Sequence, residues 1–165
     1  MNIRRILQHL MATRGQLARA FPARSLLAIE RVIAASESAH SGEIRFFVEG
    51  ALHIVPLLRG VSARARAIEV FSQFRVWDTE HNNGVLIYLL LADHAVEIVA
   101  DRGVHARVGS EAWKALCQEM ETAFKQTNFE EGVLSGIRAV TQCLIGHFPT
   151  VAGDQNELPD RPVVL

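Results

Sequence analysis

The feature that most constrains the fold is an unbroken apolar run, VLIYLLLA, at residues 85–92. The run is far shorter than the roughly 18 residues of a membrane span, but it has the length of a strand buried on both faces. The turn pair Asn83-Gly84 precedes it. After it, ADHA (92–95) turns the chain into VEIVAD (96–101), a second strand-like segment. We therefore predict a central strand with an antiparallel neighbour.

A further strand and several helices follow from hydrophobic periodicity. EIRFFVEGAL (43–52) alternates, with Ile44, Phe46 and Val48 on one face. ARARAIEVFSQF carries an apolar stripe that predicts a helix over 61–76. Strand, helix and central strand form a β-α-β unit, whose two strands should be parallel. Similar stripes predict helices over 22–39, 109–126 and 128–146, the last with Asn128 and Glu131 as a capping box.

Length and charge limit the class of protein. A chain of 165 residues is expected to form one domain that buries roughly two-thirds of its unfolded surface. The net charge of -1 lacks the global signature of a nucleic-acid-binding protein. Cys117 and Cys143 fall on apolar stripes, which favours small core residues in a reducing compartment over a disulfide. With no transmembrane run and no signal-peptide h-region, we expect a soluble, cytoplasmic α/β protein.

The two ends of the chain differ from its centre. Residues 1–21 are predicted to form one basic amphipathic helix, which packs on the domain or contacts an anionic membrane surface or a protein partner. Residues 1–31 contain six arginines against one acid, Glu30. Residues 22–148 form the predicted α/β domain. Residues 149–165 are expected to be an extended, mobile tail, although RPVVL at its end could instead dock on a sheet edge.

Polar side chains collect where the predicted strands begin and end. The loop before the central strand, the exit of the next strand and the entry of the first strand should meet at one edge of the sheet. This edge would gather the following candidate metal ligands: Asp78, Glu80, His81, Asn82, Asn83, Asp101 and His105. Carboxylate and amide oxygens suit Ca²⁺ or Mg²⁺, and the histidines also permit Zn²⁺.

The spacing of these residues does not identify a known metal motif. No HExxH, CxxC pair or EF-hand loop occurs. Asn83-Gly84 could therefore simply make a turn between solvated charges. The opposite edge, with Glu49, Ser62, Asp93, His94 and a helix N-terminus, is a competing site for an anion.

Two further functions remain open at the sequence level. In a catalytic interpretation, a phosphomonoester would bind the cation, with Arg102 on the phosphate and Asp101 or His81 handling protons. In the other, the chain is an interaction module that uses its N-terminal helix or its tail and binds no metal.

Four segments in order, SGEIRFFVEGAL, RARAIEVF, NNGVLIYLLLADHAVEIVADRG and GVLSGIRAV, resemble the TPM domain family. The resemblance covers about residues 25–147 and implies a Rossmann-like α/β sandwich with a small mixed sheet. It also implies divalent-cation binding, phosphatase activity, and a role in the maintenance or assembly of membrane-associated complexes. The matching positions are Asn82-Asn83-Gly84 and Asp101-Arg102-Gly103. Whether the chain is an enzyme stays open, because no DxDx(T/V) or CxxxxxR phosphatase motif occurs.

Overall fold

The computed structural model of the chain describes residues 3–150 and 155–165. These residues form four strands: β1 (Glu43–Glu49), β2 (Gly84–Leu90), β3 (Ala95–Ala100) and β4 (Val163–Val164). The strands make one sheet in the order β3-β2-β1-β4, with β1 parallel to β2 and to β4, and β3 antiparallel to β2. The predicted α/β sandwich with a small mixed sheet is confirmed.

Eight α helices flank this sheet in the described residues: α1 (Ile3–Met11), α2 (Arg14–Ala20), α3 (Ala23–Glu37), α4 (Ile54–Leu58), α5 (Ala63–Gln73), α6 (Arg102–Val108), α7 (Ser110–Lys125) and α8 (Phe129–His147). The short helices α4 and α6, and a 3₁₀ turn at Leu91–Asp93, were not predicted, since segments of two turns or fewer carry little periodicity. The predicted capping box at Asn128 is wrong, because its side chain makes no cap hydrogen bond. Both cysteines are free thiols, as predicted.

The central strand β2 is buried along its whole length, as its composition predicts. Its side chains alternate between two cores. Ile87 and Leu89 lie in the core covered by α3, α7 and α8, whereas Leu86 and Tyr88 lie in the core under α5 and Leu57 of α4. Because helices cover both faces of the sheet, loops contact one another mainly at the two ends of the strands.

The N-terminal segment forms two helices instead of one. Thr13, between α1 and α2, takes an extended conformation (φ -101°, ψ 155°) and caps α2. Its Oγ1 accepts the N–H of Gln16 at 3.2 Å, and its own N–H donates to Gln16 Oε1 at 2.9 Å. This capping box breaks the periodic run, and its T-x-x-Q pattern was legible in the sequence. Residues 1 and 2 lie outside the described part of the chain.

The end of the tail, residues 155–165, is docked rather than free. Val163 and Val164 pair with Phe47 and Val48 of β1, and the N–H of Leu165 donates to Val48 O at 2.9 Å. This is the alternative that RPVVL left open. The physical reason is that β1 would otherwise leave its outer hydrogen-bonding edge unpaired. The predicted tail begins earlier, but residues 151–154 fall outside the description.

Candidate functional site

The predicted convergence of polar loops occurs at the edge where β1 and β2 begin and β3 ends. Three loops form this edge, termed the amino rim: 40–43, 78–84 and 101–105. The strands start in register, with Glu43 beside Gly84. The N–H of Glu43 donates to Asn83 O at 3.2 Å, and the N–H of Asp101 donates to Gly84 O at 2.8 Å. The topological prediction for these loops is therefore confirmed.

Two glycines allow the loops of the amino rim to touch. A Cβ atom at Gly84 would overlap the carbonyl oxygen of Val76, and one at Gly103 would lie 2.5 Å from the carbonyl oxygen of Asn82. Asn82 itself has a φ of +52°, a left-handed conformation that asparagine adopts more readily than most residues. The NNG and DRG motifs thus serve close packing of the loops, whatever else they do.

Asn83 is the most enclosed of the predicted ligands. Its side chain is fully buried, and its Nδ2 donates to the carbonyl oxygen of Ser41. Its main-chain N–H donates to Thr79 Oγ1 at 3.1 Å. The remaining side-chain atom, Oδ1, is buried and has no hydrogen-bond partner among the described residues. Burying an acceptor without a hydrogen-bond partner lowers the stability of the folded state by about 1–3 kcal/mol.

Asp101 presents a second buried oxygen at the amino rim. It is the N-cap of α6, where its Oδ1 accepts the N–H of Arg102 at 2.6 Å. Its Oδ2 is buried and lacks a hydrogen-bond partner in the part of the chain that the structure describes. Enclosing a carboxylate oxygen is more costly than enclosing an amide oxygen. The amino rim therefore holds two enclosed oxygens, Asn83 Oδ1 and Asp101 Oδ2, that have no hydrogen-bond partner among the described residues.

The other candidate residues lie on the surface of this rim. They are exposed to solvent: Asp78, Glu80, His81, Asn82, Arg102 and His105. Within residues 3–150 and 155–165, no group of three or more His, Cys, Asp or Glu side chains could hold a metal ion. The structure thus encloses two of the seven predicted ligands, and the role of the exposed ones stays a prediction.

The tail crosses the amino rim, which the sequence did not indicate. The carboxylate of Glu43 accepts the N–H groups of Glu157 and Leu158, at 3.0 and 3.2 Å. The carboxylate of Glu157 in turn accepts the N–H of Glu80, at 3.0 and 3.2 Å. Glu43, placed beside the site by topology, therefore holds the tail backbone.

Asn156 of the tail contacts two carboxyl groups, that of Glu37 on α3 and that of Asp160 in the tail. Asn156 Nδ2 donates to Glu37 Oε2 at 2.9 Å and to Asp160 Oδ1 at 2.8 Å. Burial, followed by the hydrogen bond and the negative charge of Asp160, raises the pKa of Glu37 from 4.5 to about 8. At neutral pH, the Glu37 carboxyl group therefore carries a proton and can donate a hydrogen bond to the Asp160 carboxylate.

This pairing predicts a pH-dependent stability. Between about pH 4.5 and pH 8, folded Glu37 keeps its proton while unfolded Glu37 has lost it, so the free energy of unfolding should fall as pH rises through this window. The Glu37→Gln variant stays neutral and should be more stable than wild type at about pH 9, with the difference shrinking as pH falls to about 4.5. Urea unfolding over this range measures it. Glu119→Gln, at an exposed position, controls for losing a carboxylate, and a Glu37→Gln difference independent of pH would contradict the pairing.

Comparison with known proteins identifies the family. A family model for the TPM domain matches residues 17–143, more than half of the chain. The chain belongs to the TPM domain family. The NMR structure of BA42, from the psychrophilic bacterium Bizionia argentinensis, resembles it with a TM-score of 0.77 and 30% identity, covering 88% of this chain and 95% of that protein. No curated protein matches the chain.

A more distant likeness concerns the fold alone. The solution NMR structure of the N-terminal domain of a protein from P. gingivalis has a TM-score of 0.58 and 20% identity to this TPM domain. It covers 73% of this chain and 76% of that one. In the described residues, no helix has the length and hydropathy to cross a bilayer.

The opposite edge of the TPM domain, termed the carboxyl rim, lies where β1 and β2 end. Glu49, at the end of β1, is buried and accepts the hydroxyl of Tyr88 at 2.7 Å and Nε of Arg66 at 2.8 Å. Ser62 caps α5 by accepting the N–H of Ala65 at 3.1 Å. His94 is exposed at the end of the 3₁₀ turn. The Glu49 carboxylate is thus already paired with protein donors.

Asp93, the other acid of the carboxyl rim, is also saturated. Its Oδ2 accepts Arg5 Nη2 at 2.8 Å, and its Oδ1 lies 2.9 Å from His9 Nε2. The N–H of Leu52 donates to His9 Nδ1 at 3.0 Å, so Nε2 of a neutral ring carries the proton toward Asp93. Burial raises the pKa of Asp93, but the hydrogen bonds from Arg5 and His9 bring it below its ordinary value. The amino rim, with its two unpaired oxygens, is therefore the better candidate site for a cation.

Proposed function

We propose that this TPM domain binds a divalent cation at the amino rim through Asp101 and Asn83. The observation that supports it is the pair of buried oxygens, Asp101 Oδ2 and Asn83 Oδ1, without hydrogen-bond partners among the described residues. A cation offsets the cost of enclosing both atoms. In this role the domain is a binding or accessory module, and the family resemblance suggests that it serves the maintenance or assembly of membrane-associated complexes.

The structural roles of Asp101 and Asn83 use only one of the two polar atoms of each side chain. Asp101 Oδ1 caps α6, and Asn83 Nδ2 ties the amino rim to Ser41. Neither bond uses the second polar atom, which in each residue is an oxygen. A residue needed only as a cap would have its free oxygen in solvent, where water pairs with it. The enclosed second oxygen therefore favours a cation ligand over a simple cap.

The donor set fits Ca²⁺ or Mg²⁺ better than Zn²⁺. Both enclosed donors are oxygens, the ligands of hard cations. Main-chain carbonyl oxygens of His81 and Asn82 approach Gly103 close by, whereas the imidazoles of His81 and His105 are exposed. Because Asp101 is the single enclosed carboxylate of this set, affinity should be weak, with a Kd of roughly 0.1–1 mM.

The proposal predicts a cation-dependent thermal shift that the Asp101→Asn variant loses. At about ten times its Kd, a cation stabilises a folded protein by about 1.4 kcal/mol, which raises Tm by roughly 3–6 °C in a domain of this size. Asparagine caps a helix as well as aspartate does, so Asp101→Asn should fold normally while losing the charge. Differential scanning calorimetry with CaCl₂ or MgCl₂, against NaCl of equal ionic strength, measures the shift.

The matched control is Asp78→Asn, which removes the same charge from an exposed position of the same rim. It should keep the shift. A shift of equal size in wild type and Asp101→Asn, or no shift with any cation, would refute the proposed site. Turnover of a generic phosphomonoester by the cation-loaded protein, lost in Asp101→Asn, would extend the function from binding to catalysis.

A further inference from the structure

The first helix, α1, is docked with its apolar face outward. Ile3, Leu7, Leu10 and Met11 are each between 54% and 71% exposed, whereas His9 on the opposite side is buried. At 100° per residue, the four apolar positions form a stripe about 100° wide. A helix that only stabilised the domain would bury this stripe, since burial of apolar surface is the main favourable term in packing.

Polar contacts set this orientation of α1. Arg5 Nη2 donates to Asp93 Oδ2 at 2.8 Å and to the carbonyl oxygen of Val61 at 2.9 Å. His9 bridges Asp93 and the N–H of Leu52, at 2.9 and 3.0 Å. Arg5 and His9 are one turn apart, so together they fix the rotation of the helix about its axis. The outward direction of the apolar stripe is thus imposed by specific bonds.

The short helix α4 carries a second set of exposed apolar side chains. It lies in the chain between Leu52 and Val61, the two residues that hydrogen-bond to the inner side of α1. Its Ile54, Val55 and Leu58 are each about half exposed. In the described residues, seven of the fourteen exposed large hydrophobic side chains lie on α1 and α4. A concentration of exposed apolar side chains on two helices that Leu52 and Val61 connect is typical of an interaction surface, whereas scattered exposed residues need no explanation.

The charged side chains of the two segments that contain α1 and α4 are positive. No Asp or Glu occurs in residues 3–29 or 50–68. The exposed basic side chains in these segments include Arg4, Arg14, Arg19 and Arg59. Apolar side chains flanked by arginines suit an interface that is both apolar and anionic. A second copy of the chain fits less well, because an isologous contact would place arginines against arginines.

We infer that the face formed by α1 and α4 binds the surface of an anionic lipid bilayer. The apolar side chains enter the boundary between headgroups and acyl chains, and the arginines contact the lipid phosphates. The inference does not depend on the proposed cation site, which lies at the other rim.

Sedimentation with vesicles tests the inference, with EDTA present so that no cation bridges protein and lipid. The chain should bind phosphatidylcholine vesicles containing about 30% phosphatidylglycerol, and bind pure phosphatidylcholine far less. Leu7→Gln/Leu10→Gln should weaken binding at least about tenfold. Arg4→Gln/Arg59→Gln should weaken it about 25-fold, about fivefold for each arginine. Leu7 and Leu10 are uncharged, whereas Arg4 and Arg59 are charged. Salt at about 0.5 M should therefore reproduce the loss of binding seen in the arginine variant and not that seen in the leucine variant.

The control variant is Leu27→Gln/Ile145→Gln, which removes two exposed apolar side chains from α3 and α8 and should bind like wild type. Unfolding curves establish that each variant is folded. Three outcomes overturn the inference. The first is the absence of binding to anionic vesicles, and the second is binding that Leu7→Gln/Leu10→Gln leaves unchanged. The third is a dimer in sedimentation equilibrium that this variant dissociates, which would assign the face to a second copy of the chain.

Discussion

Replacing Glu49 with alanine is expected to destabilise the TPM domain by about 3–5 kcal/mol. The buried carboxylate is the shared acceptor of the Tyr88 hydroxyl and the Arg66 guanidinium. Its removal leaves a largely buried cation and a buried hydroxyl without that acceptor. Burial and then the hydrogen bond to Glu49 raise the pKa of Tyr88 above its ordinary value, so the hydroxyl stays a donor at neutral pH. For a chain of this length, Tm should fall by roughly 6–20 °C.

A control on the same arginine isolates the effect of burial. Glu69 also pairs with Arg66, with its Oε2 3.0 Å from Nη1, but its side chain is 61% exposed. Glu69→Ala should therefore cost less than about 1 kcal/mol. Thermal unfolding of the two variants gives the comparison. If the two variants lost similar stability, the buried ion pair of Glu49 would contribute no more than the exposed ion pair of Glu69.

The Gly84→Ala substitution is expected to destabilise the domain by about 3 kcal/mol. The new Cβ would overlap the main-chain carbonyl of Val76, and a backbone group cannot rotate away as a side chain can. The loop before β2 must then shift, which also displaces Asn83 and should abolish cation binding. Guanidinium unfolding measures the stability, and the calcium-dependent thermal shift measures the effect on the rim.

The control for this substitution has the opposite expected sign. Apart from its chain neighbours and the backbone of its own helix, Gly146, near the end of α8, has no described heavy atom within 4 Å of the position that a Cβ would take. Gly146→Ala should therefore stabilise the domain by roughly 0.5–1 kcal/mol through its greater helix propensity. If Gly84→Ala changed stability by less than about 0.5 kcal/mol, the amino rim would be looser than the close contact at Val76 indicates.

Much of the scaffold could be predicted because its signals are local. The run at 85–92 and the stripe at 61–76 each identify an element, and chain direction then determines which loops meet. That was enough to bring Glu43, Asn83 and Asp101 to one rim. The details of their enclosure could not be predicted. Asn83 is held by Ser41, which is 42 positions away, and no periodicity in the sequence reports such a contact.

The sequence by itself determined the elements, the order of the chain through the sheet and the loops that meet at the amino rim. Only the tertiary structure decided which polar atoms are enclosed there, that the tail completes the sheet, and which way α1 faces. On α1 the apolar stripe was evident, but Asp93, 84 positions from His9, turns that stripe outward. The reason is physical: periodicity reflects each segment's own preference, whereas burial depends on the groups that distant segments bring to it.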